Sequence, residues 1–167
     1  MVSAATAGLV AWRLGYGTSW WAFVAFASLA PSLAVIDASV RRLPFWLTIP
    51  AGAVGVGCLT AMTFTDHTGL HVLLRATVAA VAVGLTFLLL AVLTADGMGG
   101  GDVVLAAVIG FYLSWLGWNN LTIGLMAGLL AAAVGAGLTV LATRSPKTPI
   151  PLGPFLLAGW LVGVLIS

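Results

Sequence analysis

Charge is what this sequence has least of. Only 6% of its 167 residues are Asp, Glu, Lys or Arg, where an ordinary soluble domain carries roughly a quarter. With 62% hydrophobic residues and a mean hydropathy of +1.19, there is too little polar material to cover a surface in water. Lipid must be the solvent. The six basic residues are scattered, without patch or stripe, and the formal net charge is only +2, which excludes a nucleic-acid footprint. One cysteine, Cys58, excludes an internal disulfide. It lies in an apolar run and is expected to pack there. Two histidines, His67 and His71, are joined only by Asp66, too thin a ligand set for zinc. No metal or other cofactor is expected.

What is present is a series of apolar runs, several near the roughly 20 residues that cross a bilayer. They cover residues 19–36, 45–64, 70–95, 102 to 115 or 118, 121–143 and 150–166. Residues 1–12 are apolar but short, and no basic residue precedes them, so they read poorly as a signal peptide. The expected fold is all-α: a polytopic transmembrane helix bundle of six helices plus a short N-terminal one. No internal repeat or long linker divides it, so residues 1–167 form a single domain. The tryptophans fall mostly near the ends of the runs, as interfacial anchors do. Asn119-Asn120 marks a turn, and Gly124, Gly128, Gly135 and Gly137 are spaced for close helix packing.

Two of the four acidic residues, Asp37 and Asp102, sit at the mouths of apolar runs. A carboxylate at that depth is expensive, and its default reading is functional. Alternating the runs across the membrane puts Asp37 and Asp102 on one side at similar depth. Arg41, Arg42, Arg144 and Lys147 fall on that side too, four of the six basic residues, which makes it the cytoplasmic one. Arg13 and Arg75 fall toward the other, where Arg75 can snorkel or meet Asp66.

Each aspartate has a bland account. Asp37 near a helix C-terminus can pair with Arg41 four residues on, and Asp102 can serve as a helix N-cap behind a flexible glycine lead-in. Together they invite another. Two carboxyls at one depth can share a proton, one activating water while the other protonates the carbonyl oxygen or the leaving amine. Amide hydrolysis needs such a pair and no protein nucleophile.

At this point three segments carry a resemblance. Ile36-Asp37-Ala38-Ser39-Val40-Arg41-Arg42-Leu43-Pro44 resembles the first catalytic motif of the type IV prepilin peptidases, an aspartate followed by basic residues and a proline. Gly99-Gly100-Gly101-Asp102-Val103-Val104-Leu105 resembles the second, GxGD, at the head of a helix. Ile150-Pro151-Leu152-Gly153-Pro154-Phe155-Leu156 is similar to the segment that opens that family's last helix. The resemblance implies a membrane aspartyl endopeptidase of the bacterial cytoplasmic (inner) membrane, with its active site toward the cytoplasm. Its substrates would be prepilin-like or pseudopilin precursors held in the lipid, and no cofactor or nucleic acid would take part. Catalysis would fall to Asp37 and Asp102, with Gly99, Gly101, Arg41, Arg42 and Pro44 binding substrate or supporting the pair. The chain departs from the pattern at Phe45, often Asn, and at Val104, often Lys. No paired-cysteine domain of the larger members is seen, so methyltransferase activity is not expected. Two other readings use the same residues: a catalytically inactive relative that binds pilin-like helices, and a small proton-coupled transporter with the acids as a relay.

Overall fold

An apolar segment in lipid must satisfy its backbone internally, and the helix does so within one segment. The computed structural model, which describes residues 2–15, 19–40, 45–65, 69–93, 99–143 and 151–167, is built accordingly. Its helices are α1 (Val2–Leu14), α2 (Trp20–Val40), α3 (Phe45–Thr65), α4 (Leu70–Leu93), α5 (Gly100–Leu116), α6 (Trp118–Thr143) and α7 (Gly153–Leu165). No strand occurs among the described residues. The all-α expectation holds, and the N-terminal run is a helix of 13 residues. At 1.5 Å per residue α1 is only about 20 Å long, short of the hydrocarbon core. Trp20–Ser39, Leu70–Leu93 and Trp118–Leu141 are each long and apolar enough to cross a membrane. Their exposed faces carry Val35, Leu85, Val92, Leu130 and Leu138. This is an integral membrane helix bundle.

Two boundaries differ from the sequence reading. Helix α2 runs on through Asp37 to Val40, so Asp37 lies inside a helix and not in a connection. Asn119 and Asn120 are no turn but the first turn of α6; the break falls at Gly117, whose N–H donates to the Leu113 carbonyl at 3.1 Å. Asn120 is buried, and its amide donates to the Gly163 carbonyl of α7 at 3.0 Å. A polar residue that reads as surface is spent on a contact between helices.

Lipid gives helices little hydrophobic reason to associate, so close packing and interhelical hydrogen bonds must do it. The buried Tyr112 of α5 lies 5.0 Å from Phe23 and 4.9 Å from Phe26 of α2, ring centre to ring centre. Phe26 in turn meets Trp160 of α7 edge-on at 4.9 Å. Trp160 is therefore a mid-helix core residue, 1% exposed, and not an interfacial anchor. On α3, Gly52, Gly55, Leu59 and Thr63 face inward at helical spacing, and Gly55 has no room for a Cβ against the Tyr112 hydroxyl. Cys58 falls off that stripe and is exposed, contrary to the expectation that it packs.

Helices α6 and α7 pack backbone against backbone. A Cβ on Gly159 would stand 2.6 Å from the Gly128 Cα, and one on Gly163 2.9 Å from the Asn120 carbonyl oxygen. Gly135 faces the Phe155 ring, whereas Gly137 meets nothing. Three of the four glycines singled out on this helix thus serve packing.

Helix α1 also repairs a defect. Pro31 inside α2 has no N–H to offer the Ala27 carbonyl one turn back. The Thr6 hydroxyl of α1 donates to that carbonyl at 2.9 Å.

Candidate active site

Three helices bring their ends together at one end of the bundle. Helix α2 runs against α5 and α7: near its start the Ala22 carbonyl accepts from the Tyr112 hydroxyl, far along α5, at 3.3 Å. The last turns of α2 therefore reach the beginnings of α5 and α7. Asp37, 1% exposed, is there. Its Oδ2 accepts a hydrogen bond of 2.8 Å from the N–H of Gly153, the first residue of α7. At the C-terminal end of its own helix a carboxylate faces the negative pole of the macrodipole; the N-terminus of α7 presents the positive one. Pro154 follows directly, in the first turn, where a missing N–H costs nothing.

Asp102 arrives from α5. The sequence allowed it as the N-cap, but that position is Gly99, in extended backbone with φ −73° and ψ 143°. Asp102 is the third helical residue. Its N–H donates to the Gly99 carbonyl at 3.0 Å, and its carboxyl receives the Gly99 N–H in return. That reciprocal arrangement has the form of a capping box with the acid at its usual place. Asp102 is buried at 6% exposure, and its Oδ1 has no hydrogen-bond partner among the described residues. The charge of Asp37 reaches it electrostatically. A buried carboxyl oxygen without a donor is costly, and among the described side chains only the Trp160 Nε1 shares that state.

Of the supporting residues read from sequence, Gly99 caps α5 and Gly101 is buried in the same turn. Arg41, Arg42 and Pro44 lie outside the described residues, as do Asp66, His67, Asp96, Gly97, Met98, Arg144 and Lys147. Val104 is half-buried on α5, and Phe45 opens α3. His71 is exposed, and no cluster of three His, Cys, Asp or Glu side chains able to hold a metal occurs among the described residues.

A model of the type IV leader peptidase family matches residues 23–141. The chain belongs to that family. It is 32% identical to the prepilin leader peptidase/N-methyltransferase of Xanthomonas campestris pv. campestris, over 90% of this chain and 52% of that protein. It is 30% identical to the Pseudomonas aeruginosa protein of the same name, over 96% of this chain and 55% of the relative. A shorter stretch, 68 residues or 40% of this chain and 22% of the relative, is 44% identical to the one from Aeromonas hydrophila. The chain thus spans about half the length of the curated relatives it matches. No solved structure gives a significant match.

Both aspartates fall inside the region that defines the leader peptidase family here, and Gly153 lies beyond it. Gly153 is also the residue that the sequence reading left out of the site. Its segment was visible as the third resembling motif, but nothing in the spacing said that its N–H meets a carboxyl 116 positions earlier.

The two outlying arginines have definite roles at the other end. Arg75 reaches across to α5: its Nε donates to the Ser114 carbonyl at 2.8 Å and its Nη2 to the Trp115 carbonyl at 2.9 Å, closing the C-terminus of that helix, while its other expected partner, Asp66, lies outside the described residues. Arg13 does the same for α7, donating from Nε to the Leu165 carbonyl at 2.9 Å. Cations belong at helix C-termini, where free carbonyls and the dipole both favour them.

Proposed function

We propose that this chain is a membrane aspartyl endopeptidase that removes the leader peptide from type IV prepilin or pseudopilin precursors at the cytoplasmic face of the bacterial inner membrane. What supports the reading is that two buried carboxyls from helices far apart in sequence, Asp37 and Asp102, lie near enough for the charge of one to act on the other, with one oxygen of Asp102 left open. Family membership supports the peptidase class, and the names of the relatives support the precursor substrate.

In mechanism, water held between the two carboxyls loses a proton to one of them as its oxygen attacks the scissile carbonyl carbon. The other carboxyl, protonated, gives its proton to the carbonyl oxygen. Collapse of the tetrahedral gem-diol breaks the C–N bond: the leaving amine takes the proton of the protonated carboxyl while one gem-diol hydroxyl gives its proton to the other, so the pair ends with one proton, as it began. Gly99, Gly100 and Gly101 carry no side chain that would keep an extended peptide from Asp102. Arg41 and Arg42, four and five residues after Asp37, would sit among cytoplasmic headgroups, in keeping with the excess of basic residues on that side.

The test is cleavage of a co-expressed prepilin-like precursor by the wild type, Asp37→Asn and Asp102→Asn, with membrane abundance measured for each. Each substitution should lower the rate by about 10²–10⁴-fold without lowering abundance. A wild type that leaves several such precursors intact would move a binding or transport role to the front.

A further inference from the structure

Among the described residues, the hydrogen bond that holds the Asp37 carboxyl comes from the backbone of another helix. The Gly153 N–H donates to Oδ2 at 2.8 Å, inside a buried site. A Cβ on Gly153 would have three nearest neighbours, all of them in Asp37: Oδ2 at 2.5 Å, Cγ at 3.0 Å and Cβ at 3.2 Å. The nearest obstacle to a side chain at this position is thus the aspartate itself.

The donor is also well anchored. Helix α7 is seated on α6 by Gly159 against Gly128 and by Gly163 beneath Asn120, and its C-terminus is held by Arg13. These contacts fix α7 along its axis, so its first N–H cannot follow Asp37 if the side chain turns. Backbone donors at a helix N-terminus make a rigid cradle for a carboxylate.

Resting on the two-aspartate reading above, we infer that Gly153 is a positioning residue of the peptidase: its N–H occupies Oδ2 of Asp37 and leaves Oδ1 as the oxygen that binds the attacking water. Helix α7 thereby becomes part of the catalytic apparatus without supplying a side chain to it. An Asp37 free to rotate would present either oxygen, and the productive alignment of water with the scissile carbonyl would be sampled only part of the time.

Two measurements test this, one of which needs no activity. In the purified protein, thermal unfolding is compared for the wild type, Gly153→Ala, Asp37→Ala and the double variant. Gly153→Ala should lower the melting temperature in the presence of the Asp37 carboxyl and have little effect in its absence. Equal losses in both backgrounds would overturn the link. In the cleavage assay, Gly153→Ala should lower kcat by about 10- to 100-fold, the scale of a lost hydrogen bond to a charged group, with KM unchanged. Wild-type kcat in that variant, or a loss confined to KM, would overturn the positioning role. Should the wild type cut no precursor, the peptidase reading falls, while the thermal cycle still decides whether Gly153 holds Asp37.

Discussion

The two ends of α5 and α7 solve opposite problems. At one end the helices finish, and each has an arginine from a neighbouring helix on its last carbonyls, Arg75 on Ser114 and Trp115, Arg13 on Leu165. At the other end the same helices begin, and each meets an aspartate: Gly153 bonds Asp37, and Asp102 is turned back on Gly99. Charge matches dipole at both ends. The difference is in satisfaction. The three arginine bonds run from 2.8 to 2.9 Å, whereas the aspartate end leaves the buried Oδ1 of Asp102 without a partner among the described residues. At the arginine end the last carbonyls are closed, and at the aspartate end a buried carboxyl oxygen is left able to accept a hydrogen bond.

This contrast can be broken by steps of decreasing severity. After the aspartate substitutions and Gly153→Ala, the next largest effect belongs to Gly159→Ala, which forces a methyl against the Gly128 backbone and the Gly124 carbonyl. It should cost about 1–3 kcal/mol or more of stability and carry the Gly153 N–H away from Asp37. Denaturation in detergent and cleavage per folded molecule should therefore fall together. A variant that loses stability but cleaves normally would uncouple the seat of α7 from the site.

Arg75→Met attacks the other end. Without its donors the Ser114 and Trp115 carbonyls must find other partners, and stability should drop by about 1–3 kcal/mol. Cleavage per folded molecule should remain near wild type. A loss of kcat as large as that of Gly153→Ala would mean that the two ends are not independent.

The smallest effect is expected at Gly137, which touches nothing within 4 Å and lies in a helix interior. Gly137→Ala should be neutral or stabilise by about 0.5–1 kcal/mol. Paired with Gly159→Ala, it separates the effect of losing a glycine from the effect of filling a contact.

Much of the outline was legible in the sequence, because composition and long apolar runs force helices in lipid whatever their neighbours do. The approximate limits of α3, α4 and α7 followed from that, and so did the convergence of Asp37 and Asp102, since topology alone puts both at one side. The errors share a cause. Asn119-Asn120, Cys58 and Trp160 were placed by residue type, and in each case the neighbouring helix decided otherwise: Gly163 takes up Asn120, Gly55 and Leu59 occupy the inner face of α3, and Phe26 and Tyr112 enclose Trp160.

By itself, then, the sequence determined the solvent, the helices and the placing of two acids toward one end of the bundle, since these depend on hydropathy and on alternation across a bilayer. Only the tertiary structure decided that Asp37 takes its hydrogen bond from Gly153, that Asp102 sits inside the first turn and not at the cap, and that Arg13 and Arg75 are helix caps. Those facts depend on how far each helix is displaced along its axis relative to the next. That displacement is set by glycine contacts and caps spread over the whole bundle, which no local pattern of residues records.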